Sequence, residues 1–367
     1  MLNLLTAHRR ALHKIPEIGY DLIKTEAYLK DALSQYPVKV EAVPPCGLIA
    51  FLDFGAEESI AFRADMDALP IEEKSGCPFS SEHPGKMHAC GHDGHMAILL
   101  TLLDELSRLE TAPRNALFFF QPAEEAGNGA AKMVTSGALA RYNVKEIYAC
   151  HVEPLLEKGV ITSKPGAFMA RSCEVHVYGH GKSAHIAHAG EGVDALEMCA
   201  RFYLRAIDHI EKTYRNDLHL FKFGRFVSGT ANNILSAFTQ IDGSLRAFDD
   251  DVFFRMKEDV RRIADETERE FSGRIHVEID SGYPPVINDE ACFSKLVSAA
   301  RDYRFVEMKE PHMTAEDFAC YLKEVPGLMF NIGLGVESEL HSNTFHFDED
   351  ALLPAVHIFK NLFLESK

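Results

Sequence analysis

The chain has 367 residues, 46% of them hydrophobic, and a formal net charge of -17. That length exceeds a usual single hydrophobic core, so two domains are expected, and the apolar content excludes a mainly disordered protein. The acidic balance, with no concentrated Lys/Arg run to displace counterions from phosphates, argues against a nucleic-acid partner.

In chain order, the opening MLNLLTAHRRALHK gives way to charges too soon for a signal peptide or a membrane span, so a cytoplasmic location without a membrane partner is expected. Eight cysteines (Cys46, Cys77, Cys90, Cys150, Cys173, Cys199, Cys292 and Cys320) show no repeating spacing, which fits reduced thiols rather than a disulfide framework. Strand-like runs over 47–54, 59–66, 115–122 and 145–152 alternate with a helical pattern over 95–109, the pattern of an α/β sheet with helices packed on it. From 172 the order becomes strand 173–179, helix 192–212, strands 218–229 and 236–248, helix 250–271 and strand 274–280. That is the β-α-β-β-α-β order of a ferredoxin-like α+β domain. The prolines of GYPPVIND (282–289) suggest a linker. Beyond it, a helical 290–301, a strand-like 328–333 and an amphipathic 349–366 return to α/β. A small domain over 172–282 inserted into a discontinuous one, 1–171 and 283–367, is the simplest arrangement.

The stretch MHACGHDGH (87–95) holds three histidines, a cysteine and an aspartate within nine residues. Cys90 and His92 lie where a loop enters a helix, and thiolate and imidazole both suit zinc-like ions. A capped helix start, with Asp93 serving the exposed amides, is the structural alternative. Glu124 and Glu125 directly follow the apolar strand NALFFFQ, where one carboxylate can ligate metal while the other handles protons; a solvated acidic turn is the plain alternative. Asp65 and Asp67 end another strand, and His151 ends a third. Ligand-type residues at three strand ends fit an α/β site outside the carboxyl ends of the sheet. His341 follows the last strand through a polar loop, with His346 close by. His8, His13, His209, His219 and His357 have no partner legible in sequence and are read as structural.

Long segments in order, HRRALHKIPEIG (8–19), FRADMDALPI (62–71), MHACGHDGHMA (87–97), QPAEE (121–125), GHGKSAHIAHAGEGVDAL (179–196), TANNI (230–234), GSLRAFD (243–249), TAEDF (314–318) and ELHSNTFHFDE (339–349), resemble the co-catalytic metallo-aminoacylase and carboxypeptidase family. The similar branch holds hippurate hydrolases, auxin-conjugate hydrolases and N-acetyldiaminopimelate deacetylases. The resemblance implies a metallopeptidase-like catalytic α/β domain with an inserted lid and dimerisation domain. It also implies two divalent metal ions per subunit, of zinc, manganese, cobalt or nickel. Cys90 then resembles the bridging ligand, with His92, Glu125, His151 and His341 completing the set. Glu124 resembles the general base acting on the attacking water. Asp67 resembles the acid that orients a ligand, and Asp65 stands where relatives in other branches carry a metal-binding histidine. His185 resembles the lid histidine that reaches a partner subunit's site and stabilises the oxyanion, so a homodimer or higher homo-oligomer is expected. Asn233 and Arg246 match positions that hold the substrate. The stretch SAHIAH lacks the family's usual proline, and TAEDF stands where the family has TGEDF.

The implied activity is metal-dependent removal of an acyl group from a small N-acyl amino acid, with N-acetyl-L,L-diaminopimelate of lysine biosynthesis as the expected substrate. A hippurate hydrolase, an aminoacylase and a dipeptidase are the alternatives within the family. A Cys90 nucleophile activated by His92 would leave Glu125, His151 and His341 without roles. A closed four-ligand shell would support a non-catalytic, metal-containing binding protein, whereas five or more ligands around an open position would not.

Overall fold

The computed structural model describes residues 1–125 and 127–365. Two compact units are present. The larger comprises Met1–Phe168, Val286–Pro311 and the chain from Asp317 onward; the smaller comprises Met169–Pro285 and His312–Glu316. Residues 312–316, assigned by sequence to the larger domain, group with the smaller one because the amide of Ala170 donates to the carbonyls of His312 (3.1 Å) and Thr314 (2.9 Å).

An eight-stranded sheet organises the larger unit. Its spatial order is Val38–Val43, Gly47–Leu52, Asn115–Gln121, Ser59–Asp65, Val144–Glu153, Gly327–Gly333, Ile161–Ser163 and Phe305–Glu307. The four central strands, from Asn115–Gln121 to Gly327–Gly333, are mutually parallel. Three of them are buried at every position, which is why they read as unbroken apolar runs rather than alternating ones. Parallel neighbours bring their carboxyl ends to one side, so the residues after Asp65 and Gln121 emerge beside the end of Val144–Glu153.

Helix His92–Ser107 is buried from His92 to Leu103 and packs with helices Leu2–His13 and Leu353–Glu365. Each fully buried Leu, Met or Phe there contributes roughly 1.5–3 kcal/mol over leaving it exposed. Helix Leu2–His13 escapes a pattern reading because its inward face mixes Leu5 and Leu12 with buried His8, Arg9 and His13. Helix Ile23–Leu33 and strand Val38–Val43 were likewise not expected. The stretch expected to be a linker contains the strand Val286–Asn288, where Asn288 donates to the Met329 carbonyl (3.0 Å) and accepts the Met329 amide (2.8 Å).

In the smaller unit an antiparallel sheet runs Arg274–Ile279, Arg171–His180, Phe238–Ala247, His219–Ser228. Two helices complete it. Ala195–Thr213 starts where the Asp194 carboxylate accepts the amides of Leu196 and Glu197, later than the expected 192. Asp250–Phe271 is capped the same way by Asp249 on Val252. Both turn one apolar face inward, with Met198, Phe202, Phe253 and Met256 meeting Val175, Val177, Ile241 and Leu245. The β-α-β-β-α-β connectivity, with the first and third strands central, is ferredoxin-like. Among the described residues no helix is long and apolar enough to cross a membrane. None of the eight cysteines is in a disulfide.

Candidate metal centre

Cys90 is delivered by a turn that only glycine permits. Gly91 has φ +85°, and a Cβ there would lie 2.5 Å from Cγ2 of Val152. Helix His92–Ser107 therefore starts three residues earlier than its apolar pattern suggests, with His92 as its first residue. Asp93 does not cap it: no side chain caps this helix. The Asp93 carboxylate instead takes Arg9 Nε (3.2 Å) and His13 Nδ1 (2.8 Å).

Backbone groups fix the imidazoles around Cys90. His92 Nδ1 donates to the Asp67 carbonyl (2.7 Å), which turns Nε2 towards Asp65 Oδ2 (3.7 Å) and Glu125 Oε1 (3.9 Å). His151 Nδ1 donates to the Val152 carbonyl (2.8 Å), leaving Nε2 3.5 Å from Cys90 Sγ. The Val152 amide donates to His95 Nε2 (3.1 Å), and His95 Nδ1 donates to Asp65 Oδ1 (2.7 Å). Both nitrogens of His95 are thereby used, whereas His92 and His151 each keep one for a ligand. Asp65 is held in turn by Arg63 (2.7 Å), which also contacts Gln121 (2.8 Å) and Asp317 (3.0 Å).

The paired glutamates are aimed by Asp67. Ala123, with φ +54°, turns the chain after the strand so that Asp67 Oδ1 accepts the Glu124 amide (2.9 Å) and Oδ2 the Glu125 amide (3.2 Å). His341 also has a positive φ, +63°; its amide donates to the Ala89 carbonyl (2.8 Å) and its Nε2 lies 3.4 Å from Glu125 Oε1.

Two of the groups that these donors form share Cys90. Cys90, His92 and His151 place their ligand atoms within 4.8 Å of one another, and so do Cys90, Glu125 and His341. The donor chemistry fits a divalent ion of the zinc, manganese, cobalt or nickel kind. Among the described residues His92 Nε2 and Glu125 Oε1 are buried without a hydrogen-bond partner, which is costly unless something positive satisfies them. Burial, then His95, pushes the His151 pKa down to about 3, so its Nε2 carries a free lone pair. Burial works against a charged His92, but Asp65, Asp67 and Glu125 outweigh it and hold its pKa at about 10. Burial together with Glu125, Glu124 and Asp65 drives the Cys90 thiol well above its usual range. A thiol so disfavoured from ionising is a poor nucleophile by itself, which weighs against the cysteine-hydrolase alternative.

All the expected donors of the larger unit, with Glu124, Asp65 and Asp67, come together. His185, Asn233 and Arg246 belong to the smaller unit. His185 is exposed, and its Nδ1 accepts the Ala187 amide (3.1 Å); Asn233 is also exposed, and its carbonyl accepts the Ile186 amide (3.1 Å). Arg246 is half-buried, with Nη1 on the Met313 carbonyl and Nε on Ser244 Oγ (3.3 Å). Sequence reasoning missed His95, Arg63, Gln121 and Asp317. His95, three residues after His92 on the same helix face, was the one signal within reach.

Residues 61–365 match the family described as Peptidase family M20/M25/M40. The N-acetyldiaminopimelate deacetylase of Exiguobacterium sibiricum is 33% identical over 363 residues, covering 97% of this chain and 98% of the relative. That of Ligilactobacillus salivarius is 34% identical over 368 residues, covering 96% and 94%. A dinuclear metal-binding peptidase of the M20 family from Bacillus subtilis superposes with a TM-score of 0.84 at 29% identity, covering 100% of this chain and 98% of that one. With its donor set and end-to-end likeness, the chain belongs to the M20/M25/M40 peptidase family and is a metal-dependent amidohydrolase.

Proposed function

We propose that the protein removes the acyl group from a small N-acyl amino acid, using two divalent metal ions per subunit held by Cys90, His92, Glu125, His151 and His341. The observation that carries this reading is that Cys90 joins two three-residue donor groups, one with His92 and His151 and one with Glu125 and His341. When bound, such ions supply Lewis acidity that polarises a carbonyl and lowers the pKa of water. Glu124, aimed by Asp67, takes the proton of the attacking water and returns it to the leaving nitrogen, a role worth about 10²–10⁴ in rate. Asp65 keeps His95 oriented, and its charge faces His92. His185, supplied by a second copy of the chain in a homodimer or larger homo-oligomer, meets the developing oxyanion. A cytoplasmic setting is part of this reading.

N-acetyl-L,L-diaminopimelate is the preferred substrate in this reading, which places the enzyme in lysine biosynthesis. Support comes from the two deacetylases at 33% and 34% identity. The guanidinium of Arg246 and the side chain of Asn233 suit the carboxylate beside the scissile amide. Comparing kcat/KM on N-acetyl-L,L-diaminopimelate, hippurate, N-acetylmethionine and dipeptides tests this, with chelated protein as control. A preference for hippurate or a dipeptide rejects the diaminopimelate assignment. Full activity after exhaustive chelation rejects the metal mechanism.

A further inference from the structure

The segment between strand Ser59–Asp65 and helix His92–Ser107 carries a second constellation of ligand-type side chains, built with the N-terminal helix. His13 Nε2, Glu73 Oε1 and Cys77 Sγ lie within 4.8 Å of one another. Nε2 is 3.2 Å from Oε1, and Sγ is 3.7 Å from the same oxygen. With zinc bond lengths of about 2.0–2.3 Å, the edges of a tetrahedral site are about 3.4 Å between nitrogen and oxygen ligands and about 3.6 Å between sulfur and oxygen. The two edges that meet at Glu73 Oε1 are thus close to those of such a site, and the third, between His13 and Cys77, is within 4.8 Å.

The surroundings are those of a ligand site. His13 and Glu73 side chains are 1% and 4% exposed, while Cys77 is partly open to solvent. The other nitrogen of His13 is held by buried Asp93 at 2.8 Å, the carboxylate-to-imidazole arrangement that orients metal-binding histidines. His13 Nε2, Ser75 Oγ and Cys77 Sγ all converge on Glu73 Oε1, more donors than one oxygen has lone pairs. The second oxygen of Glu73 accepts only the Ser81 amide (2.6 Å), so the three donors are gathered on one side of the carboxylate.

We infer that His13, Glu73 and Cys77 form an additional site for a zinc-type divalent cation, separate from the Cys90 centre, that staples the N-terminal helix to the segment leading into Cys90. Without a cation, a proton fills the gap: against burial, Asp93, Cys77 and Glu73 hold His13 as an imidazolium, with a pKa of about 11. Against burial, hydrogen bonds from His13, Ser75, Ser80 and the Phe79 backbone bring the Cys77 thiol down to about 7, so thiolate is available at neutral pH. Binding displaces one proton from His13 Nε2 and any that remains on Cys77. Three protein donors leave a fourth position for water on the open side of Cys77.

The test is zinc-dependent protection of Cys77 in the purified, metal-stripped wild-type chain. Iodoacetamide labelling, mapped to the Cys77 peptide by mass spectrometry, is expected to slow at least tenfold on adding zinc. That protection is expected to persist in Cys90→Ala protein, which separates this site from the proposed catalytic one. Cys77→Ser and Glu73→Gln proteins, reloaded with zinc and desalted, are expected to hold one equivalent less than wild type while keeping at least half its activity. Labelling of Cys77 that zinc leaves unchanged in the wild-type chain would overturn the inference, whatever the variants do.

Discussion

Asp67 holds Glu124 through its backbone: the carboxylate accepts the Glu124 amide at 2.9 Å and, with its other oxygen, the Glu125 amide at 3.2 Å. One side chain thus sets the direction of both glutamates, and its own carbonyl orients His92. Asp67→Asn replaces an acceptor oxygen by an NH2 group that faces an amide donor. Loss of such an outer support typically costs 10–100-fold in metal affinity or activity. The expected result is a fall in kcat of that size with the fold retained, measured with metal content alongside. A variant with wild-type kcat and full metal content would show that Asp67 aims nothing.

The two glutamates should separate by what they lose. Glu125 lies among ligand atoms, 3.4 Å from His341 Nε2 and 3.9 Å from His92 Nε2. Glu125→Gln is expected to lower metal retention, seen as a weaker metal Kd in competition with a chelator. Glu124→Gln is expected to keep most of the metal and lose at least ~2.7 kcal/mol of transition-state stabilisation, the lower end of a general-base contribution. Equal metal loss in both variants would contradict the division of roles.

What the sequence revealed of this site follows from how strands advertise themselves. Apolar runs mark the buried parallel strands, so the first polar residues after them, such as Asp65 and Glu124, could be placed at one edge of the sheet. Cys90 and His92 stood out by density, but a capped helix start competed with a metal site until ligand-type residues at other strand ends were added. Hidden from sequence was everything that depends on backbone or on distance along the chain. The Val152 amide and carbonyl select opposite ring nitrogens of His95 and His151, and a backbone group has no sequence signature. Arg63 meets Asp317 across 254 positions. Buried polar residues also masked the N-terminal helix, so His13 read as structural when it sits at the centre of Asp93, Glu73 and Cys77.

Metal uptake at the Cys90 centre should release protons. In the metal-free chain His92 titrates at about 10 and the Cys90 thiol well above its usual range, so both carry a proton at neutral pH. A cation can bind only by displacing them, and about two protons per chain are expected from these groups. Apparent affinity then rises with pH across the neutral range. An indicator-dye titration of weakly buffered, metal-free protein with zinc measures the release. Uptake without proton release would mean that His92 and Cys90 are not ligands.

His88 should set part of the acid limit of the metal-free protein. Its side chain is 1% exposed and neither ring nitrogen has a hydrogen-bond partner among the described residues. Burial, opposed by Asp93, lowers its pKa to about 3. The unfolded chain takes up a proton as pH falls below the model-peptide value near 6.5, whereas the folded chain resists until about 3. Stability from this group is therefore complete above 6.5 and is lost as pH falls towards 3, at up to ~1.4 kcal/mol per pH unit. His88→Leu removes the titration and leaves no partner unsatisfied. Urea unfolding at pH 7, 6 and 5 should show a shallower loss of stability in the variant than in the parent, by roughly that slope. Parallel curves would mean that His88 finds a proton in the folded chain, and that its burial does not govern the acid limb.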